Sequence, residues 1–206
     1  MNEFPRIASI VLAAALLTGC SHKPAAANPA ATARDSGPPL AGASIGGPFT
    51  LTDQDGKTVT DQSFPGKYRI MYFGYTYCPD VCPTAMQHLG QAMRTLDKQA
   101  PAVSAKIVPI FVTVDPARDT PAVLKQFVSA FYPRLMGLTG PARTIRKVAD
   151  EYHVFYQKQP PSPGGGYLVQ HSSFAYLMSP TGQPVALVPV NGPPGPIVTT
   201  LETWVK

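Results

Sequence analysis

"FGYTYCPDVCP", residues 73–83, places two of the chain's three cysteines where one kind of pattern gives way to another. Upstream, "KYRIMYFGYT" (67–76) is rich in aromatic and β-branched residues and reads as a central strand. Downstream, "PTAMQHLGQAMRTLDKQ" repeats Met86, Leu89, Met93 and Leu96 on one helical face, and Pro83 suits the first turn, where an N–H is not needed. Cys78 and Cys82 therefore sit where a strand hands over to a helix. Free N–H groups and the helix dipole stabilise negative charge there and acidify a thiol. Three residues separate the cysteines, one more than in a usual redox pair, and no second pair completes a zinc knuckle.

The rest of the chain surrounds this junction with alternating elements. "FTLTDQDGKTVT" turns at Asp55-Gly56 and predicts a hairpin, and "AKIVPIFVTVD" (105–115) predicts a second buried strand. "DTPAVLKQFVSAFY" starts with a Thr and Pro helix signal and puts Val123, Leu124, Phe127, Val128 and Phe131 on one side. "GLTG" ends a short strand, and "PARTIRKVADEYHV" is an amphipathic helix running into "VFYQK". "QPPSPGGGY" reads as a mobile loop; two strands joined at Pro180-Thr181-Gly182 and a helix over "PIVTTLETWVK" follow. The pattern predicts an α/β sandwich whose mixed central sheet is flanked by helices, with an N-terminal hairpin extension.

The N-terminus belongs to a different class of sequence. "IASIVLAAALLTG" is a continuous apolar run, short for a membrane span and suited to a signal peptide. It ends in "LTGC", which resembles a bacterial lipobox with Cys20 as the lipid-bearing residue. Residues 1–19 are expected to be a lipoprotein signal peptide, 20–47 an Ala/Pro/Gly-rich flexible tether, and 48–206 the folded domain. The domain would then face the periplasm from the cell envelope, held to a membrane by lipid. Formal net charge is +5, and losing Glu3 and Arg6 with the leader leaves it at +5. The basic residues are scattered, with Arg143, Arg146 and Lys147 the densest group, and no nucleic-acid motif accompanies them.

With Cys20 lipidated, Cys78 and Cys82 are the remaining thiols, in an oxidising compartment. A disulfide between them closes so small a loop that it adds little to folding, which favours chemistry over stapling. Two thiolates are an incomplete zinc site and suit copper better, above all with one imidazole added. Of four histidines, His22 lies in the tether, His88 on the helix face away from the apolar stripe, and His153 at a helix end where it can act as a cap. His171 follows the proline- and glycine-rich loop and begins a strand; periodicity alone does not single it out. Met86 belongs to the apolar stripe, Asp80 reads equally as a charge that repels anions or steers a partner and as a solvated turn residue, Asp115 ends a buried strand near the cysteine loop, and Asp119 reads as part of a helix start with Thr120 and Pro121.

"FGYTYCPDVCPTAM", "VTVDPARDTP" and "HSSFAYLMSPTGQPV" together resemble, in order and spacing, the Sco/SenC family, from about Phe49 to the C-terminus. The resemblance implies a thioredoxin-like fold and a membrane-tethered copper protein, which helps assemble the dinuclear copper centre of cytochrome c oxidase. It implies one Cu(I) or Cu(II) ion held by Cys78, Cys82 and His171. The expected partner is the oxidase's copper-bearing subunit or another periplasmic copper acceptor. Where the family often has an acidic residue before the histidine, this chain has Gln170, which bears on how the imidazole is tuned. The alternative is a thiol–disulfide oxidoreductase, with Cys78 and Cys82 as its redox pair, that reduces the acceptor's cysteines. Exchange chemistry does not need His171; a three-coordinate copper site does. No setting for a peroxidase surrounds either cysteine.

Overall fold

A computed structural model describes residues 37–161 and 164–206. The expected signal peptide, Cys20, His22 and most of the expected tether lie outside the described residues. Within them, no helix is long and apolar enough to cross a membrane.

The expected hairpin is formed by β1 (Thr50–Asp53) and β2 (Thr58–Thr60), closed at Gly56 with φ of 80°. The central strand is β3 (Tyr68–Gly74), followed by α1 (Val81–Gln99), the short α2 (Pro101–Ser104) and β4 (Ile107–Thr113). Then come α3 (Pro121–Ser129), β5 (Met136–Thr139) and α4 (Ala142–Glu151). The last part holds β6 (Tyr156–Lys158), β7 (Val169–His171), β8 (Ala175–Met178), β9 (Pro184–Val188) and α5 (Pro194–Trp204).

Seven strands make one mixed sheet in the order β2-β1-β5-β4-β3-β8-β9. Strands β3, β4 and β5 run parallel, as helical crossovers require, while β1 and β8 join antiparallel on either side. The hairpin is thus an edge of the sheet itself rather than an appendage. Strand alternation decides the two faces. Tyr72 lies beside Phe111 of β4, which meets Phe127 of α3, whereas Phe73 on the opposite face meets Tyr152 just after α4. Helix α1 buries its predicted stripe of Met86, Leu89, Met93 and Leu96 completely or nearly so, and packs beside α5.

Two local features depart from the sequence reading, and one, the capping role of His153, is met in a particular form. Strands β6 and β7 form a separate two-stranded sheet, so His171 ends a strand, paired with Tyr156, instead of beginning one. Three-residue strands carry too little alternation to be read from sequence. His153 caps α4 through its backbone: it adopts φ of 52°, its N–H donates to the Asp150 carbonyl, and the Val154 N–H donates to Ala149. That is a Schellman ending, with a histidine where glycine is usual. Finally, residues 38–47, expected to be tether, lie against the domain. The Leu40 N–H donates to Val185, Gly46 N–H donates to Glu151, and the Leu40 and Ile45 side chains pack on the core.

Candidate metal centre

The chain between β3 and α1 is held by buried polar contacts that its composition does not advertise. Asp119 is fully buried and accepts three hydrogen bonds: from the Thr76 N–H at 3.0 Å, the Thr76 hydroxyl at 2.6 Å and the Thr113 hydroxyl at 2.6 Å. It clamps the cysteine loop to the end of β4, which corrects its reading as a helix-start residue. Thr120 fills that role, accepting from the Val123 N–H. Burial pushes the Asp119 carboxyl above the usual range, and the three donors oppose that.

Next to the clamp, Arg118 pairs with Asp115, whose other carboxylate oxygen accepts from the Tyr167 hydroxyl at 2.9 Å. The guanidinium lies 3.7 Å from the centre of the Tyr167 ring, 4.8 Å from Tyr77 and 5.6 Å from Tyr75. One arginine therefore touches both the cysteine loop and the segment leading to His171, through favourable cation–ring contacts. Asp115 is near the cysteine loop, as expected.

Gly74 sets the spacing between sheet and sulfur. A Cβ there would lie 2.8 Å from Cys82 Sγ and 2.9 Å from the Tyr72 ring, so only glycine lets both approach. Cys82, in the first turn of α1, is fully buried; Cys78 in the preceding loop is 8% exposed, and both are free thiols. His171 reaches over from β7 to put Nε2 3.2 Å from Cys82 Sγ. Its Nδ1 donates to the Ser172 carbonyl at 2.8 Å, leaving the Nε2 lone pair facing the sulfurs. The rings of Tyr75 and Tyr72 stand edge-on to the imidazole at 5.8 and 6.4 Å. Cys78, Cys82 and His171 bring their ligand atoms within 4.8 Å of one another, the one cluster of its kind among the described residues.

The two thiols are driven apart electrically. A hydrogen bond from Cys82 holds the Cys78 thiol down to about 3 against the effect of burial, with smaller help from His171 and from backbone N–H groups at the helix start. Cys82, the donor and the more deeply buried, is pushed up. Of the two, Cys78 is the sulfur that more readily gives up its proton. Burial, and then the nearby Cys82 sulfur, also push the Tyr72 phenol up.

Other predicted positions sit apart from this cluster. His88 is half-buried and meets the Val190 carbonyl at 3.2 Å; His153 Nε2 meets the Ser44 carbonyl at 2.8 Å. Met86 is core and Asp80 is exposed. The Gln170 amide contacts Gln159 rather than the imidazole, so the Ser172 carbonyl orients the ring. Thr76, Thr113, Tyr72, Arg118 and Tyr167 were not singled out from sequence. The D-P-x-R-D segment was the signal for Arg118; the others become visible only through contacts. The site opens into a cleft of about 500 Å³ lined by Cys78, Val81, Leu168 and His171.

A family model described as SCO1/SenC matches residues 38–206. The chain belongs to the SCO1/SenC family. Its start at residue 38 coincides with the strap that lies against the domain. The mitochondrial SCO1 protein of Saccharomyces cerevisiae is 43% identical over 141 residues, 68% of this chain and 47% of that protein. A SCO2-like protein of Rickettsia prowazekii is 39% identical over 140 residues, 68% of this chain and 66% of its own length. The chain thus spans about half the length of the yeast relative. Among solved structures, copper-bound ScoI of Bradyrhizobium japonicum superposes with a TM-score of 0.70 at 41% identity, covering 78% of this chain and 99% of that one. The fold is accordingly the thioredoxin-like sandwich of Sco proteins, as expected.

Proposed function

We propose that this protein is a copper metallochaperone that carries one copper ion between the Cys78 and Cys82 sulfurs and His171 Nε2. The observation that carries the reading is the convergence of those three atoms within 4.8 Å, with the imidazole lone pair already turned inward. Two soft thiolates and one imidazole fit Cu(I) as three ligands and leave room for an exchanging fourth; zinc would want a further protein ligand. Copper is cargo here, and the chain's task is to take and release it. Loading displaces the thiol protons. The half-open cleft beside Cys78 and His171 gives an acceptor's ligand access, so copper can pass by exchange of one bond at a time.

The relatives support the cargo and its destination. ScoI of Bradyrhizobium japonicum and yeast Sco1, at 41% and 40% identity, are known with copper bound. BsSco, 27% identical, is a member of the Sco family of cytochrome c oxidase assembly proteins. The acceptor is accordingly the copper-bearing subunit of cytochrome c oxidase or another periplasmic copper protein. Lipid on Cys20 would hold residues 20–37 to a membrane, with the domain on its periplasmic side.

The thiolate–thiol pair favours a second activity. Cys78 as thiolate attacks an acceptor disulfide, releasing one acceptor thiolate. Cys82 then displaces the other, leaving the acceptor reduced by two electrons and this chain with a Cys78–Cys82 disulfide. BsSco has a disulfide switch.

Copper titration of the reduced protein, with optical and EPR spectra, tests the primary reading. One copper per chain, with a thiolate-to-copper charge-transfer band lost in His171→Ala, is the expected result. A reduced wild type that holds no copper yet exchanges disulfides readily would transfer the function to the redox reading.

A further inference from the structure

We infer that the Tyr72 hydroxyl donates a hydrogen bond to the Cys82 sulfur when copper is bound, and thereby sets the balance between Cu(I) and Cu(II) at this site. The inference rests on the metallochaperone reading and extends it to a residue that does not touch the metal.

Tyr72 lies in the middle of β3 and is completely buried. Its hydroxyl is sealed from solvent and makes no hydrogen bond to oxygen or nitrogen among the described residues; the polar atom beside it is the Cys82 sulfur. Buried hydroxyls without partners are uncommon because they are costly, and phenylalanine would fill the same space without that cost. Other tyrosines of the domain differ: Tyr132 donates to Asp97 and Tyr167 to Asp115. Phe111 lies beside the Tyr72 ring at 6.0 Å, the His171 ring stands perpendicular to it at 6.4 Å, and the Tyr72 ring edge and Cys82 Sγ crowd the same point above Gly74. A cysteine bound to copper is a thiolate with lone pairs to spare, and a buried phenol at its side then has a partner.

A donor on a copper-bound thiolate withdraws charge from the sulfur. It lowers the sulfur's donor orbital and favours Cu(I) over the more electron-demanding Cu(II), as hydrogen bonding around cysteine sulfur does in other copper sites. The hydroxyl that is a liability in the empty protein acts on the loaded one.

The test is Tyr72→Phe, loaded with copper beside the wild type. The expected result is one copper per chain with imidazole nitrogen coupling retained in EPR, a thiolate-to-Cu(II) band moved to longer wavelength, and a Cu(I)-to-Cu(II) affinity ratio lowered roughly tenfold. The thermal midpoint of the metal-free variant should stay level or rise. An unaltered band and affinity ratio, or a lowered metal-free midpoint with the copper properties intact, overturns the inference. Copper missing from the wild type overturns the metallochaperone reading, and this inference with it. Copper bound normally by the wild type, with no change in the variant, overturns this inference alone. Should the variant fail to fold, incorporating 3-fluorotyrosine into the wild type makes the phenol a stronger donor and must move the band to shorter wavelength; a stationary band overturns the inference.

Discussion

The two halves of the candidate site are built to different standards. The cysteine half stands on β3, paired along both edges by β4 and β8, and leads straight into a 19-residue helix whose apolar face is buried. Asp119 fastens its loop with three hydrogen bonds. The histidine half is the tip of a two-stranded sheet of three residues a side, and such a pair has little stability of its own. It is attached to the cysteine half by the Arg118, Asp115 and Tyr167 contacts and by the 3.2 Å approach of His171 to Cys82. A carrier must hold its cargo and also let go. On the proposed function, the holding would fall to the firmly built sulfurs, and the release to an imidazole on a lightly anchored arm.

Removing a sulfur should break this scheme outright. Cys78→Ser or Cys82→Ser loses both copper retention and disulfide exchange, as measured by copper stoichiometry after desalting. The next largest effect is His171→Ala, expected to weaken copper by more than about 100-fold, exceeding the loss of an outer partner, while the disulfide still forms. Equal copper affinity in that variant would collapse the distinction between the halves.

Two further substitutions compare the supports. Asp119→Ala strands three donors in the clamp and should lower unfolding free energy by about 3 kcal/mol, read by denaturant titration. Arg118→Ala should change that free energy by less than about 1 kcal/mol, since Arg118 is partly exposed, yet weaken copper roughly tenfold by loosening the His171 arm. A reversed pattern would mean that the histidine arm is the structural element.

The smallest effect concerns the empty site. Because Cys78 is held down to about 3, its thiolate form persists well below the ordinary thiol range. Alkylation of the reduced protein should modify Cys78 first, at a rate nearly flat from about pH 5 to 8, where an ordinary thiol speeds up with each unit. Mass spectrometry of the labelled peptide reads the position, and a rate climbing steadily with pH would show that the Cys78 thiol is not held down.

Much of the cysteine half was legible in the sequence. The strand, the cysteines and the stripe of Met86, Leu89, Met93 and Leu96 are contiguous, so periodicity reports them directly. The histidine half was not, because its meaning is non-local. His171 meets Cys82 across 89 residues; within the cysteine half the Asp119 clamp is hidden in the same way, since Thr76 meets it across 43. Only the motif resemblance nominated His171. Asp119 was misread because Thr120 and Pro121 beside it are a genuine helix start, and nothing local distinguishes a capping aspartate from a buried clamp. The strap at 38–47 was hidden by its composition, in which Leu40 and Ile45 are rare large side chains among small ones.

That strap also determines where mechanical load enters the domain. Its contacts with Val185 and Glu151, and the cleft it forms with Arg69 and Gly182, lie at the opposite end of β3 from Gly74 and the cysteines. Tension arriving through the N-terminus is taken up there by the Leu40 and Gly46 backbone hydrogen bonds, the His153–Ser44 contact and two apolar side chains, at the edge strand β9 and the end of α4. A domain tugged from its N-terminus would yield first at the strap, while Cys78, Cys82 and His171 at the far end stay in register.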